Sequence, residues 1–364
     1  MTNTECSLFE LLQVIIKGDV GGISNVINLS GENWVELISI SHRQGVTALV
    51  LDALDAISKE GVSVSIPNNI VLELLSKAMV VQKNYSNQYK CSTALAKLWK
   101  ENGIRTLVFK GLALSRYFPV PSHREFGDFD CFLFGKYDEG NAIAIANGYQ
   151  VDTGWYKHSQ IICNGIMAEN HKYFTQCRKG KKERELNKEL LSLLGDGSIL
   201  QRFDNTELLL PPLMFESMFF VYHAMSHFLL EGLTLRFFCD WACWMKVNQN
   251  AINWVEFYER CRYYGYDRFV DAMNAICFDY LGLVITNSDI EIDRRYSEKV
   301  LNNTLYEDSK IYNKVGGKWS SRFGVIRNAL TYSWKYREIA QSSMVSFLWS
   351  YVRGLVMKEE DTCL

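Results

Sequence analysis

The sequence predicts an α+β fold, with a mixed β-sheet core between large N-terminal and C-terminal helical regions. Apolar residues recur at helical spacing through the first hundred residues. From Arg105 the pattern changes to short runs of Val, Phe, Ile and Leu separated by turn residues, and helical spacing resumes after Pro212. We therefore predict an N-terminal helical region over residues 1–100, a core over 101–200 and a C-terminal helical region over 201–364.

The composition is typical of a compact globular protein with a small-molecule or protein partner. Of the 364 residues, 48% are hydrophobic, which is enough for a substantial core. The formal net charge is only -2 and the basic residues are dispersed, so neither nucleic acid nor an anionic membrane is an expected partner. Ten cysteines without a C-x-x-C pair, and no secretory leader, indicate reduced thiols and a cytoplasmic location.

The N-terminal region is predicted to contain amphipathic helices. Residues three and four positions apart lie on one face of a helix, and apolar residues follow this spacing here. The residues that define these faces are Leu8, Leu11, Leu12, Ile15 and Ile16 in the first helix, Trp34, Leu37 and Ile38 in the next, and Val46, Leu49 and Val50 after it.

The most informative stretch runs over residues 106–134. An apolar strand ends at a Lys-Gly pair (110–111), a short helix follows, and the sequence Gly-Asp-Phe-Asp at 127–130 opens a second apolar strand. Because successive strand side chains point to opposite faces, Asp128 and Asp130 emerge on the same face. Two carboxylates held this close favour a divalent cation, although a solvated strand start would need none.

A β-hairpin is predicted further along the core. Residues 159–163 and 166–170 have the composition of short strands, and the Asn-Gly pair at 164–165 suits a type I′ turn, which needs positive φ at both positions. On the second strand Glu169 and His171 share a face, so an acidic side chain can join the Asp pair from a neighbouring strand. His171 is either a supporting group or a residue of the amphipathic rim, and we favour the rim.

The segment after the core is predicted to begin with a charged loop over residues 176–185. The most apolar stretch, residues 208–245, is interrupted by charged residues and histidines. A membrane-spanning helix needs about 18 uncharged residues, so we predict a buried helix pair instead.

Two residue pairs at helical spacing stand out within that helix pair. His223 and His227 share a face, but a zinc site would need a further ligand, so we interpret them as core histidines with satisfied hydrogen bonds. Arg236 and Asp240 are also four apart, and their spacing predicts a salt bridge within one helix.

The order of these elements resembles that of the nucleotidyltransferase superfamily, in which a glycine turn, a helix, an Asp-x-Asp strand and a third acid follow one another. Residues 108–118, 124–130 and 168–171 are similar to the bacterial family of uncharacterised nucleotidyltransferases, as are the C-terminal His and Arg/Asp pairs named above. The resemblance implies a nucleotidyltransferase-fold enzyme that moves a nucleoside monophosphate from a nucleoside triphosphate (NTP) to an unknown hydroxyl acceptor, either a small molecule or a protein.

The resemblance also implies roles for individual residues. Asp128, Asp130 and Glu169 would hold Mg²⁺ or Mn²⁺, which stabilises charge on the transferred phosphate, and Glu169 would also act as acid or base. Lys110 or Ser115 would replace a hydroxyl that many superfamily members place after the first strand. The residues expected to contact the nucleotide are Lys110, Gly111, Ser115, Arg124 and Gly127.

Other interpretations remain open from the sequence. Arg124 has a structural alternative, an ion pair with Glu125 or Asp128. The protein as a whole has three alternatives: a catalytically inactive relative that binds nucleotide or a protein partner, a helical interaction protein without a nucleotide site, and an RNA-modifying transferase. The near-neutral charge disfavours the RNA-modifying transferase.

Overall fold

A computed structural model gives the positions of residues 1–306, 327 and 329–356. In this part of the chain a six-stranded mixed sheet lies among helices from both ends of the sequence, which confirms the α+β class. The helices are α1 (Asn3–Lys17), α2 (Ser24–Ile27), α3 (Gly31–Arg43), α4 (Thr47–Lys59), α5 (Asn68–Glu101), α6 (Gly111–Ser115), α7 (Tyr137–Ala146), α8 (Lys181–Leu194), α9 (Leu213–Leu230), α10 (Leu235–Asn248), α11 (Trp254–Tyr264), α12 (Asp267–Asp279), α13 (Ser297–Tyr306) and α14 (Met344–Val356). The strands are β1 (Thr106–Phe109), β2 (Phe129–Phe132), β3 (Gln150–Asp152), β4 (His158–Cys163), β5 (Ile166–His171) and β6 (Leu208–Leu209).

The sheet has the strand order β3-β4-β5-β2-β1-β6. Strands β1 and β2 are antiparallel, as are β4 and β5, whereas β2 runs parallel to β5 and β1 runs parallel to β6. The predicted hairpin is confirmed, because Asn164 and Gly165 join β4 to β5 with φ values of 50° and 79°. The short strand β6 extends the sheet from within the region that the sequence predicts to be helical.

The two faces of the sheet are covered by different parts of the chain. On β1, Leu107 and Phe109 belong to the core formed with the N- and C-terminal helices, while Val108 faces the second half of α5. On that second face the indole of Trp99 donates a hydrogen bond to the Gly140 carbonyl at 3.1 Å, which ties α5 to α7. Alternation along each strand therefore decides which side chains face α9.

The charged stretch over residues 176–185 is not a loop, and this prediction was wrong. A 3₁₀ turn (Cys177–Lys179) leads directly into α8. Leu186, Leu190 and Leu194 recur every four residues and are buried, so one apolar stripe is enough to dock a helix whose remaining faces are charged.

No helix in the described residues is long and apolar enough to cross a membrane. The nine cysteines in this part of the chain form no disulfide bonds with one another, and all except Cys6 are buried. Burial raises the pKa of several of these thiols, and the pKa of Cys243 rises to about 12. These buried thiols act as apolar core residues, as the sequence predicts.

Asp271 on α12 should make the fold less stable at neutral and alkaline pH. Burial, together with the charges of Glu291, Asp267 and Asp293, raises the pKa of Asp271 to about 7 from an ordinary value of 3.8. The folded state therefore binds a proton more tightly than the unfolded state, and stability falls as pH rises from about 4 through 7.

We expect Asp271→Asn to be more stable than the wild type at pH 8 by about 2 kcal/mol, a figure reduced for partial solvent exposure. The difference should become small near pH 4, where the wild-type carboxyl is protonated in the folded state and about half protonated in the unfolded state. Urea unfolding at the two pH values measures this. Exposed Asp289→Asn is the matched control, and an equal effect of the two variants would contradict the prediction.

Candidate metal and nucleotide site

Three carboxylates converge where β2 and β5 run side by side. Asp130 lies directly opposite Glu169 in the parallel register, and Asp128 precedes β2 on the same face. One oxygen from each carboxylate lies within 4.8 Å of the other two, a spacing that can hold a metal ion. The strand register thus confirms the expectation that the hairpin places an acidic residue, Glu169, beside the Asp pair.

The Lys-Gly turn after β1 places a cation against this group. Lys110 adopts φ 58° and ψ -135°, unusual for a residue with a side chain, and its ammonium donates to Asp130 Oδ1 at 2.6 Å. A Cβ added to Gly111 would lie 3.0 Å from the Phe126 ring and 3.4 Å from the Asp128 carbonyl oxygen. A glycine at 111 therefore lets the segment that carries Asp128 approach the turn.

His171 is buried in the site, so our preference for the rim was wrong. Its side chain is 0% exposed, and Nε2 lies 2.8 Å from Asp130 Oδ1 and 3.5 Å from Glu169 Oε2. His158, opposite it on β4, places Nε2 3.3 Å from Glu169 Oε1. Two imidazoles thus flank the third carboxylate.

Charge and burial act differently on the three carboxyl groups. The charge of Asp130, together with burial, raises the pKa of Asp128. Burial alone would raise the pKa of Asp130, but Lys110 and His171 outweigh it and hold that pKa below its ordinary value. Burial likewise opposes the effect of His171 on Glu169, and the net shift of the Glu169 pKa is downward. Asp130 and Glu169 are therefore anionic at neutral pH, as metal ligands must be.

A cavity of about 320 Å³ opens from the carboxylates towards α9 and α10. Of the residues expected to contact nucleotide, Lys110, Gly111, Arg124 and Gly127 line it, together with Asp128 and Asp130. Glu169 lies beside Asp130 on the neighbouring strand β5 and is not among the lining residues.

The structure does not bring Ser115 to the cavity. Its side chain is buried, and its hydroxyl donates to the Leu112 carbonyl at 2.6 Å, one turn back in α6. This position therefore cannot replace the hydroxyl of other superfamily members, and Lys110 is the residue that reaches the carboxylates from the turn.

Arg124 pairs with neither Glu125 nor Asp128; its partner is Asp240 on α10. The guanidinium donates to both carboxylate oxygens of Asp240, at 2.7 and 2.8 Å, and the two residues are 5% and 3% exposed. The predicted Arg236–Asp240 bridge is therefore also wrong, since Arg236 instead donates to the Glu125 carbonyl at 3.1 Å. The third guanidinium nitrogen of Arg124, Nη1, is buried, and no residue in the described part of the chain forms a hydrogen bond with it.

Helices α9 and α10 form the far wall of the cavity. His223 and His227 line the cavity rather than the core, and His227 lies 3.0 Å from Glu231. Burial, with the charges of Lys110 and His227, holds the pKa of His223 well below its ordinary value, so its ring is neutral at pH 7. The aromatic part of the wall consists of Phe109, Phe126, Phe215, Phe219, Phe220 and Phe237.

This geometry agrees with the comparison of the sequence with protein families. The family model described as "Uncharacterised nucleotidyltransferase" matches residues 30–282. The chain belongs to this family. No curated protein and no solved structure matches the chain. Membership of this nucleotidyltransferase family supports a transferase function of that general kind, and nucleotidyltransferases generally use divalent metals.

Some residues of the site have no signal in the sequence. His158 and Lys157 lie in and just before β4, on the hairpin strand that carries no acid. Burial and the charge of Lys110 lower the pKa of Lys157 to about 8, and Asp130 and Glu169 act on it in the opposite direction. The pairing of β4 with β5 was predictable, but a lone histidine opposite another histidine does not indicate a site until the register is known.

Proposed function

We propose that this protein is a metal-dependent nucleotidyltransferase that moves a nucleoside monophosphate from an NTP to a hydroxyl acceptor. The observation that carries the proposal is the convergence of Asp128, Asp130 and Glu169 at the end of a cavity whose walls also hold buried cations. Carboxylate oxygens are the ligands that Mg²⁺ or Mn²⁺ prefers, and such an ion stabilises charge on the transferred phosphate.

The cationic side of the cavity suits a triphosphate. Lys110 reaches the carboxylates from the β1 turn, and Arg124 presents a buried nitrogen that has no hydrogen-bond partner among the described residues. An unpaired buried guanidinium nitrogen is costly, and an anionic oxygen in the cavity would satisfy it. Asp240 neutralises and orients this guanidinium, which favours binding of a phosphate oxygen in one direction.

The aromatic wall suits a nucleobase or an apolar part of the acceptor. Phe219 on α9 stacks on the neutral ring of His223 at a centroid distance of 6.1 Å. Flat aromatic faces bind bases of any identity, while His227 and Glu231 at the rim offer groups that discriminate by hydrogen bonding. We propose that Glu169 helps to hold the metal ion and accepts the proton of the acceptor hydroxyl.

The alternative is a catalytically inactive relative that binds nucleotide or a protein partner. One observation favours it: the Lys110 ammonium bonds the same Asp130 oxygen that a metal ion would need. Transfer therefore requires Lys110 to release this oxygen, or Asp130 to bind the ion through its other oxygen.

Calorimetric titration tests the proposal. ATP, GTP, CTP and UTP with Mg²⁺ are titrated into the wild type and Asp128→Asn/Asp130→Asn, and pyrophosphate release is then measured with pooled hydroxyl acceptors. We expect metal-dependent binding of at least one NTP, its loss in the double variant, and pyrophosphate release from the wild type. Binding without release would identify the inactive relative, and no binding of any NTP would favour an interaction protein without a nucleotide site.

A further inference from the structure

His171 presents an unusual electrostatic arrangement behind the carboxylates. Its Nδ1 lies 3.3 Å from the Tyr173 carbonyl oxygen, which can only accept, so Nδ1 carries a hydrogen and donates. Nε2 then faces the carboxylate oxygens of Asp130 and Glu169 at 2.8 and 3.5 Å. Carboxylates only accept as well, so a positive charge must lie between Nε2 and these oxygens, either a proton or a metal ion.

The surrounding side chains have the geometry of a metal site. Ligand atoms of His158, Glu169 and His171 all lie within 4.8 Å of one another. Ligands about 2.1 Å from an ion at tetrahedral angles are about 3.4 Å apart. His158 Nε2 lies 3.3 Å from Glu169 Oε1, and His171 Nε2 lies 3.5 Å from the other oxygen, Oε2, so each nitrogen is at about this distance from one oxygen of the same carboxylate.

We propose that His158, Glu169 and His171 form a second metal position that takes a divalent transition-metal ion and shares Glu169 with the Asp pair. Two imidazoles and one carboxylate favour Zn²⁺, Mn²⁺ or Co²⁺ over Mg²⁺, which prefers oxygen ligands. The Nδ1 bond from His171 to the Tyr173 carbonyl is the kind of outer contact that orients metal-binding histidines.

The position also has the charge balance and the access that a metal site needs. Asp128, Asp130 and Glu169 bring three carboxylates together, and the lysines that offset their charge are Lys110, which pairs with Asp130, and Lys157, whose pKa is lowered by burial while the charges of Asp130 and Glu169 act to raise it. The side chains of Glu169 and His158 are 12% and 14% exposed, so an ion can enter from the hairpin side. This inference goes beyond the proposed function because it requires neither NTP nor transfer.

Cobalt is a direct probe, since its visible absorption reports the ligands and geometry of the ion. Co²⁺ is titrated into the full chain in excess Mg²⁺, which occupies sites that contain only oxygen ligands. We expect one equivalent of Co²⁺ to bind with an imidazole-type spectrum. His158→Gln should weaken Co²⁺ binding at least tenfold, whereas His42→Gln, at an exposed position of α3, should not change it.

The outcomes separate this inference from the proposed function. Absence of Co²⁺ binding in excess Mg²⁺, or equal binding by the wild type and a folded His158→Gln, would overturn the second metal position and leave His171 as a hydrogen-bond partner of Asp130. Circular dichroism of each variant checks that it is folded. Asp128→Asn should keep the Co²⁺ spectrum while it loses NTP binding. The Co²⁺ spectrum therefore tests the second metal position, and NTP binding separately tests the proposed transferase function.

Discussion

Replacement of Asp130 by Asn should reduce pyrophosphate release on the order of 1000-fold, the largest effect on activity that we expect from one residue. Asp130 is the most enclosed of the three carboxylates, with 2% of its surface exposed, and it lies between Asp128 and Glu169. Its pKa is below the ordinary value, so the group is anionic at all working pH values. Asn keeps the shape of the side chain but removes the charge that would bind a metal ion.

The same substitution also removes the partner of Lys110 and His171, so activity and stability must be measured together. Pyrophosphate release is compared with the thermal midpoint for Asp130→Asn and for Asp138→Asn, an exposed aspartate in the first turn of α7. Release within threefold of the wild type by a folded Asp130→Asn protein would contradict the role of Asp130 in transfer. The α7 variant should behave as the wild type in both measurements.

The part of the site that the sequence predicts is the part built from local patterns. The Lys-Gly turn, the Asp pair and the Asn-Gly hairpin each lie within a few residues, and alternation along a strand fixes which side chains share a face. Once the hairpin is placed beside β2, the register brings Glu169 opposite Asp130. Few pairings of these short strands keep their apolar side chains on one buried face of the sheet. The sequence is therefore enough to predict that Glu169 lies beside Asp130.

The errors concern partners that are far apart in the sequence. Arg124 and Asp240 are separated by 116 positions, and their pairing depends on how α10 packs over the sheet. Helical spacing predicts that Arg236 pairs with Asp240, four residues away. In the packed structure Arg236 instead donates to the Glu125 carbonyl. His171 was misplaced for the same reason, since the helices that bury its strand come from outside the core segment.

Loss of the Asp240 carboxylate should produce the largest change in stability. The Arg124–Asp240 pair is almost fully buried and bonded at 2.7 and 2.8 Å, and removal of one partner leaves an uncompensated charge in the interior. We expect Asp240→Ala to lower the free energy of unfolding by about 3–5 kcal/mol. Urea unfolding followed by tryptophan fluorescence measures this, because Trp241 and Trp244 lie on the same helix.

A double variant distinguishes the cost of an orphaned charge from the value of the bond itself. Arg124→Leu/Asp240→Leu removes both charges, so it should unfold at a higher urea concentration than Asp240→Ala. If the double variant is less stable than Asp240→Ala, the pair stabilises the fold directly and the orphaned-charge explanation is wrong. If it recovers stability but loses NTP binding, Arg124 itself contributes to nucleotide binding and the pair is not a net stabilising bond.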